Sequence, residues 1–475
     1  MVDKLLKEYK LESDGVNIGV KIVYKQGDFV RSYLLDIPDY GGGTKALLDN
    51  LKHSIIMDSS IKAEKLLDPK FIEYLKTKFR ERGEKFLERE LPNLDEVSKN
   101  ALIGILLHEM LGLGKIEFLL SDGNLEEIVV NNASEPVWVY HKEFGWLKTN
   151  INIDTEDEIQ NYANIIARRG GKQITILTPL LDTHLVTGDR ANATLFPISG
   201  KGNTLTIRRF RRDPWTVTDF IRNKTTNSEV MALIWICMQY ELNIILSGGT
   251  ASGKTSFLNV CLVFIQPNHR ILTIEDTREL TLPPFLHWVP MTTREPNAEG
   301  KGGVTMLDLL VNSLRQRPDR IIVGETRRQV EAEVMFEAMH TGHSVYTTFH
   351  ANTAEETIRR FVNPPINIPP TVLDSVHLNV VMFRNRRLGV RRVLQVAEYI
   401  PEKRGMTETL KANTLYRWHP GEDVITKDGE SIRLFDELSM HTGMTYDEIK
   451  KDLATKKKIL DWLVEHDIHN VNDVG

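Results

Sequence analysis

The sequence predicts an α/β protein in which a domain with a parallel sheet follows an N-terminal α+β part. From about residue 225 onward, the short apolar runs NIILSG, ILTIED, RIIVGE and HSVYTTFH alternate with helical segments. Strands that are separated by helices form parallel sheets with crossover helices. Residues 115–207 instead mix short strands with one helix. The chain of 475 residues is long enough for about two to four domains.

Four segments are predicted along the chain. Residues 1–110 begin with alternating apolar and polar positions and continue into charged helical stretches. Residues 111–207 form the α+β subdomain, and the basic stretch at 208–224, which contains Pro214, is predicted to be a linker. Residues 225–475 form the parallel-sheet domain with a helical C-terminal tail.

The tail carries the signature of a capped amphipathic helix. Thr445 and Glu448 have the spacing of a capping box, in which each side chain bonds the backbone N–H of the other residue. Ile449, Leu453, Leu460 and Leu463 then fall on one helix face. We therefore expect this helix to pack against the domain.

Composition indicates an intracellular globular protein without a nucleic-acid partner. Hydrophobic residues make up 41% and charged residues 26%, the formal net charge is −5 and the pI is about 6.3. The basic clusters at 208–212 and 384–392 lack interleaved aromatic residues that would stack bases. They are interpreted as solvated or docking surfaces, or as charge compensation for a phosphate site in another subunit.

Membrane insertion, secretion and a cysteine-based metal site are not predicted. The N-terminus lacks the apolar core of a signal peptide, and no run of about 18 apolar residues occurs. The two cysteines, Cys237 and Cys261, lie in apolar surroundings and match neither a disulfide framework nor a metal-ligand spacing. A cytoplasmic location is expected, with any membrane role supplied by a partner.

A phosphate-binding loop is predicted in the stretch SGGTASGKTS at 247–256, which follows the strand-like run LNIIL. The pattern G-x-x-x-x-G-K-[ST] lets backbone N–H groups cradle phosphates, while the lysine reaches the β- and γ-phosphates and the Thr hydroxyl holds Mg²⁺. A chance glycine turn is the alternative, but the preceding strand and following helix favour ATP binding. The residues predicted to bind the nucleotide here are Gly248, Gly249, Thr250, Ala251, Ser252, Gly253, Lys254, Thr255 and Ser256.

Two acidic residues are predicted to lie at the same sheet edge as this loop. Glu275 and Asp276 follow the apolar residues 271–274, and Glu325 follows 321–323 and a glycine. Ligands of open parallel sheets bind at the carboxyl ends of the strands. A nucleotide hydrolase needs one carboxylate for its metal and one to prepare the attacking water. We therefore expect Glu275 and Glu325 to line the nucleotide site.

The stretch AMHTGHSVYTTFHANT contains His340, His343 and His350, and the last two flank a predicted strand. A metal site would need a third ligand at a suitable spacing, which the stretch lacks. From the residues alone, each histidine is more simply interpreted as a core or surface residue.

Taken together, these segments resemble one family over about residues 115–400. This family comprises the secretion ATPases of type II secretion, type IV pili and the archaellum. GGTASGKTS resembles its Walker A loop, TIEDTRELTLP its aspartate box, LRQRPDRIIVGETR its Walker B segment and AMHTGHSVYTTFHANT its histidine box. The four motifs occur in the family's order. With two cysteines, the chain lacks the zinc motif of many bacterial members, and NPPINIPPT favours the archaeal branch.

The resemblance implies roles for individual residues. Glu275 would activate water and Glu325 would organise Mg²⁺ together with Thr255, while His343 and His350 would lie near the nucleotide. TGDRANATL and NTLTIRRF resemble the segments that carry the family's arginine fingers. The fingers would be Arg190 and Arg208, with the neighbouring Arg209 and Arg211 as alternatives. After Glu325 the chain has Arg327, Arg328 and Gln329, where relatives have a single arginine.

The resemblance also implies a fold, partners and a function. The C-terminal domain would be a RecA-like P-loop NTPase domain that binds ATP and Mg²⁺. The chain would form a homo-hexameric ring at the cytoplasmic face of the membrane and act on a polytopic inner-membrane platform protein. Hydrolysis would add pilin-like subunits to a filament, and residues 1–110 would dock on the platform. The alternative is a nucleic-acid translocase or helicase on the same core, which stimulation by single-stranded DNA would reveal.

Overall fold

The structure, a computed structural model, describes most of the chain. The described residues are 4–38, 42–57, 69–185, 188–209, 214–294, 296, 300–385, 387–404 and 407–475. Arg211, one of the alternative finger residues, lies outside these ranges. The chain divides into two compact units, Met1–Arg212 and Asp213–Gly475. Within the described ranges, no helix is both long enough and apolar enough to cross a membrane.

The first unit combines a large sheet with helices. In chain order its described elements are β1 (Lys4–Ser13), β2 (Val16–Tyr24), β3 (Ser32–Asp36), α1 (Gly42–Met57), α2 (Pro69–Glu90), α3 (Glu96–Leu111), α4 (Ile116–Ser121), β4 (Leu125–Val130), β5 (Trp138–His141), β6 (Gly145–Thr149), α5 (Glu156–Arg169), β7 (Leu180–His184), β8 (Arg190–Thr194) and β9 (Thr204–Arg208).

The strands of the first unit form one sheet in the order β1-β2-β3-β6-β5-β4-β9-β8-β7. Only the β3–β6 pair is parallel among these described strands, and it joins Ser32 and Tyr33 to Lys148 and Thr149. The strands at 4–36 therefore extend the sheet that residues 125–208 build. The division predicted at residue 110 does not separate two compact units, because this backbone pairing crosses it.

The second unit alternates strands and helices, as the sequence predicts. Its described elements are α6 (Val217–Arg222), α7 (Ser228–Gln239), β10 (Ile244–Gly248), α8 (Lys254–Cys261), β11 (Arg270–Glu275), β12 (His287–Thr292), α9 (Met306–Ser313), β13 (Arg320–Val323), α10 (Gln329–His340), β14 (Ser344–Phe349), α11 (Ala354–Val362), α12 (Pro370–Leu373), β15 (Leu378–Asn385), β16 (Val390–Arg404), β17 (Thr407–His419), β18 (Val424–Lys427), α13 (Leu434–Thr442), α14 (Tyr446–Glu465) and α15 (Val471–Val474).

The sheet of the second unit has the order β12-β11-β13-β14-β10-β15-β16-β17-β18. The strands from β12 to β15 pair in parallel, and β16 to β18 continue the sheet with antiparallel pairs. Successive side chains on β10 point to opposite faces, so Ile244 and Leu246 enter one core and Ile245 enters the other. Helices cover both faces, which explains why these strands read as continuous apolar runs.

The predicted linker at 208–224 lies partly inside the second unit. Helix α6 begins after the Thr216 cap, and its residues Val217 and Phe220 are buried in the same core as β10. The unit therefore begins well before residue 225, at Asp213. Sequence reasoning missed this helix because six residues next to Pro214 offer too short a pattern to show a helical period.

The predicted tail helix is confirmed. Helix α14 begins after Thr445, whose hydroxyl accepts from the Glu448 backbone N–H while the Glu448 carboxylate accepts from the Thr445 N–H. Ile449, Leu460 and Leu463 are buried, and Leu453 is partly buried against the same core. The tail is thus an integral layer of the second unit.

Candidate active site

The phosphate-loop residues connect β10 directly to α8, as the motif requires. Strand β10 ends at Gly248, and α8 begins at Lys254. Gly248 and Gly253 have positive φ angles of 155° and 95°. A Cβ on Gly248 would lie 2.6 Å from the Met382 carbonyl oxygen, so the tight turn excludes a side chain there. The small residues thus make room for backbone N–H groups to face a phosphate.

Lys254 folds back over this loop. Its Nζ donates to the carbonyl oxygens of Gly248 at 3.0 Å and Gly249 at 3.2 Å. The side chain is buried, and burial lowers the pKa of the ammonium while the nearby Glu325 carboxylate opposes that shift. A buried cation whose partners are two neutral carbonyls is well placed to accept a more negative partner, such as a phosphate.

Glu275 is a buried carboxylate at the carboxyl end of β11. Its Oε1 accepts hydrogen bonds from the backbone N–H groups of Glu279 at 2.9 Å and Leu280 at 3.0 Å. Its Oε2 is buried and has no hydrogen-bond partner among the described residues. Burial raises the pKa of Glu275 to about 7, against the two backbone N–H groups, which lower it. One oxygen is fixed and the other is free, and a pKa near neutrality suits a general base.

We predict that Glu275→Gln retains ATP binding and lowers hydrolysis by roughly 10² or more, because the amide cannot take a proton from water. Phosphate release and binding of a fluorescent ATP analogue measure the two properties separately. Glu465→Gln, at the exposed end of α14, is the matched control and should match the wild type. Normal turnover by Glu275→Gln would assign the base to another residue.

The raised pKa of Glu275 also predicts a pH-dependent stability. The folded state holds the proton up to about pH 7, whereas the unfolded chain releases it near the ordinary value of 4.5. Stability is therefore lost as the pH rises through this window, by on the order of 3 kcal/mol. Glu275→Gln cannot ionise, so its free energy of unfolding relative to wild type should increase by about that amount between pH 5 and pH 8. Urea unfolding at both pH values tests this, and equal differences would contradict the assigned burial.

Glu325, just after β13, lies between two basic side chains. Its Oε1 is 2.7 Å from Nε2 of His350, which follows β14 directly. Its Oε2 accepts from Nε of Arg327 at 2.8 Å. Nη1 of the same guanidinium donates to Oδ2 of Asp276 at 3.1 Å. The structure thus brings Glu325 and His350 together, and it adds Asp276 and Arg327 to the cluster.

The acidic residues of this cluster fit a magnesium ion. Carboxylate oxygens of Glu325 and Asp276 converge on one cation, the guanidinium of Arg327. Mg²⁺ prefers one or two carboxylates together with water and phosphate oxygens. Thr255 and Glu325 would hold the ion, with Asp276 as a further carboxylate. When bound, the ion would neutralise charge on the phosphate oxygens.

His343 is not brought to this cluster. It precedes β14, whereas His350 follows the strand, so the two lie at opposite sheet edges about 20 Å apart along the strand. The described contact of the His343 ring is with the Thr341 hydroxyl, at 3.2 Å from Nδ1. That His343 contacts the nucleotide stays a prediction, and within the second unit the residue lies at the end of β14 opposite the phosphate loop.

The two predicted finger arginines lie side by side in the first unit. Arg190 begins β8 and Arg208 ends β9, and the antiparallel register places them directly opposite each other. Residues opposite each other share one face of a sheet, and both arginines are exposed. Nε of Arg190 donates to Asp182 at 2.9 Å. Arg209 differs, since its guanidinium bonds the backbone carbonyl of Asp122. The pair Arg190–Arg208 is thus the better candidate for contacts with an external phosphate.

One contact of the loop was missed by sequence reasoning. Arg391 on β16 donates from Nε to the carbonyl oxygen of Ala251 at 3.2 Å, and its Cδ packs near Gly253. Arg391 belongs to the basic cluster at 384–392. Another member of that cluster, Arg392, forms an ion pair with Asp423 at 2.7 Å instead of contacting the loop. The sequence gives no signal for the Arg391 contact, because the contact depends on β16 extending the sheet beside β15.

A group of possible metal ligands outside this cluster does not fit an ion. Ligand atoms of His377, Glu437 and His441 lie within 4.8 Å of one another. The Asn243 backbone N–H donates to Nδ1 of His377, so the neutral ring keeps its proton on Nε2, where a metal would bind. Arg433 already pairs with Glu437 at 3.0 Å. We interpret this group as structural, because His377 and Glu437 already bond Asn243 and Arg433.

These features define the class of the protein. A phosphate loop follows the first strand of a parallel sheet with the order β11-β13-β14-β10-β15, and acidic residues end the next strands. This is the fold of RecA-like P-loop NTPases, and the predicted fold class is confirmed.

A family model described as type II/IV secretion system protein matches residues 189–388. An uncharacterized protein of Methanocaldococcus jannaschii is 36% identical over 389 residues, 79% of this chain and 68% of that protein. The chain belongs to the type II/IV secretion system protein family.

The chain is also similar to two characterised secretion proteins. The type IV secretion system protein PtlH of Bordetella pertussis is 28% identical over 312 residues, which are 58% of this chain and 91% of PtlH. The structure of the ATPase DotB from Legionella pneumophila is 19% identical, covers 72% of this chain and 87% of DotB, and has a TM-score of 0.44. The resemblance found from the four sequence motifs is confirmed, and the archaeal relative agrees with the predicted branch.

Proposed function

We propose that this chain is a Mg²⁺-dependent ATPase that forms a hexameric ring and powers assembly of a type IV pilus-like filament at a membrane platform. The observation that carries the proposal is Glu275, a buried carboxylate with one free oxygen, at the same sheet edge as the phosphate loop. Oε1 holds the following loop, but a buried Oε2 without a hydrogen-bond partner among the described residues costs stability, which favours a chemical role for that oxygen. Membership of the secretion family supplies the context of a membrane machine.

In the proposed mechanism, the loop N–H groups and Lys254 bind the phosphates, and Lys254 exchanges its carbonyl partners for phosphate oxygens. Oε2 of Glu275 accepts the proton of the attacking water, while its fixed Oε1 holds the carboxylate in orientation. His350 orients Glu325 through the 2.7 Å contact. The pair Arg190–Arg208 would complete the charge compensation on the transferred phosphate, as arginine fingers do in other phosphoryl-transfer enzymes.

Transport through a type IV secretion machine is the second candidate function. The observation that favours it is the similarity to PtlH, which covers 91% of that protein. A nucleic-acid translocase is disfavoured by the net charge of −5. We propose that the chain acts at the cytoplasmic face of the membrane, where a polytopic platform protein would be its partner in either system.

Two measurements test the proposed function. ATPase activity per subunit should rise with protein concentration as rings form, and single-stranded DNA should leave it unchanged. Deletion of the gene, followed by imaging of surface filaments and analysis of secreted proteins, separates the two candidates. Loss of filaments supports filament assembly, whereas loss of secreted proteins with normal filaments supports secretion. Stimulation by DNA would contradict both.

A further inference from the structure

The guanidinium of Arg327 lies between the carboxylates of Glu325 and Asp276. Its guanidinium contacts Glu325 through Nε and Asp276 through Nη1, at 2.8 Å and 3.1 Å. These carboxylates follow β13 and β11, which are neighbours in the sheet. Without a cation between them, the two negative charges would repel each other. The arginine thus supplies the positive charge that the metal of the proposed function would otherwise supply.

The local backbone explains how Arg327 reaches this place. Residues 325–327 connect β13 to α10, and the side chains of Glu325 and Arg327 contact each other while that of Thr326 is buried. Thr326 is buried, with its hydroxyl 2.9 Å from the Thr347 hydroxyl. The backbone N–H groups of Arg327 and Arg328 both donate to the Glu331 carboxylate. The backbone is therefore fixed at both sides of the arginine.

The side chain of Arg327 is the exposed member of its ion pair with Glu325. It is 61% exposed, whereas its partner Glu325 is 16% exposed. A long side chain on a fixed backbone can leave its partners by rotamer changes alone. Pairs with an exposed arginine are worth little, so a divalent cation with stronger preference for carboxylates can replace it.

We propose that Arg327 is a built-in counter-cation that Mg²⁺ must displace from Glu325 and Asp276 when nucleotide binds. This inference rests on the proposed function and deepens it. Arg327 is a positioning residue in this scheme: it keeps both carboxylates in place and neutralised between rounds of nucleotide binding. It also makes metal binding conditional, because Mg²⁺ gains enough contacts to displace the guanidinium only when phosphate oxygens are present.

The test is the Mg²⁺ dependence of nucleotide binding by the full chain. A non-hydrolysable fluorescent ATP analogue is titrated at a series of Mg²⁺ concentrations, and its anisotropy gives the Mg²⁺ concentration at half-maximal binding. In Arg327→Gln this concentration should fall by roughly three- to tenfold, because the competitor is gone. Arg327→Lys keeps the charge without the two-pronged contact, and its shift should be smaller than that of Arg327→Gln.

Arg328→Gln is the matched control, since it removes one positive charge from the adjacent position. It should leave the Mg²⁺ curve unchanged. In EDTA, Arg327→Gln should bind the analogue no more tightly than wild type, which separates competition with metal from a general effect of charge. The inference would be overturned if the Mg²⁺ curves of wild type and Arg327→Gln coincide, or if Arg327→Gln and Arg328→Gln shift the curve equally. It would also be overturned if Arg327→Gln binds the analogue more tightly than wild type in EDTA. Failure of the wild type to bind the analogue at any Mg²⁺ concentration would instead contradict the proposed function itself.

Discussion

Lys254→Ala should abolish ATP turnover while the fold persists. The ammonium is the direct charge partner available to the terminal phosphate, and losing one such group costs roughly 10²–10³ in rate or more. The fold should persist because, among the described residues, Lys254 bonds only the loop carbonyls of Gly248 and Gly249, and α8 is otherwise held by Phe257 and Leu258 in the core.

Phosphate release measures the loss of turnover, and circular dichroism with a thermal melt measures the fold. Lys458→Ala on the exposed side of α14 removes the same charge far along the chain and should behave as wild type. Turnover by Lys254→Ala at the wild-type rate would refute the assignment of the phosphate loop. A variant that fails to fold would show that the loop lysine is structural.

Arg208→Ala and Arg190→Ala should each lower turnover strongly and affect ATP binding far less. An arginine finger contributes roughly 10³–10⁵ in rate in other phosphoryl-transfer enzymes. Because the two residues are opposite each other on β8 and β9, they would address one phosphate group together. The losses of turnover should therefore be non-additive, so the double variant should turn over ATP little more slowly than the less active of the two single variants. Lys201→Ala, in the exposed turn before β9, is the control.

Mixing two inactive variants decides whether the fingers act across a ring interface. Lys254→Ala retains the arginines, and Arg208→Ala retains the phosphate loop. If the finger of one subunit serves the site of the next, mixed rings should regain part of the activity that each variant lacks. If the mixture remains inactive although mixed rings form, the fingers act within one subunit. Unchanged turnover in either arginine variant alone would remove the finger model.

Sequence reasoning succeeded where the signal is local. The strand before Gly248, the helix from Lys254 and the cap at Thr445 were all predicted from neighbouring residues, and the structure has them. Glu275 and Glu325 could be placed at one edge because the ends of parallel strands meet there. The alternation of apolar runs with helices was enough to predict the fold class of the second unit.

The rest depended on contacts between distant segments. The pairing of β3 with β6 brings residues 32–33 beside 148–149, and no local pattern shows it. The position of His343 required knowledge of the strand direction relative to the phosphate loop, since both ends of β14 carry a histidine. The contact of Arg391 with Ala251 required the antiparallel extension of the sheet. Sheet order is a global property, and it decided each of these outcomes.

The continuous sheet of the first unit has a mechanical consequence. Strands β1 to β3 are joined by backbone hydrogen bonds, through β6, β5 and β4, to β9 and β8, which carry Arg208 and Arg190. A load applied at β1 would reach the arginine strands through backbone hydrogen bonds, and the narrowest connection on that path is the two-pair ladder of β3 with β6. The first unit can thus serve as a single plate. Removing residues 4–36 would disconnect the load and expose unpaired backbone on β6, inviting edge-to-edge aggregation.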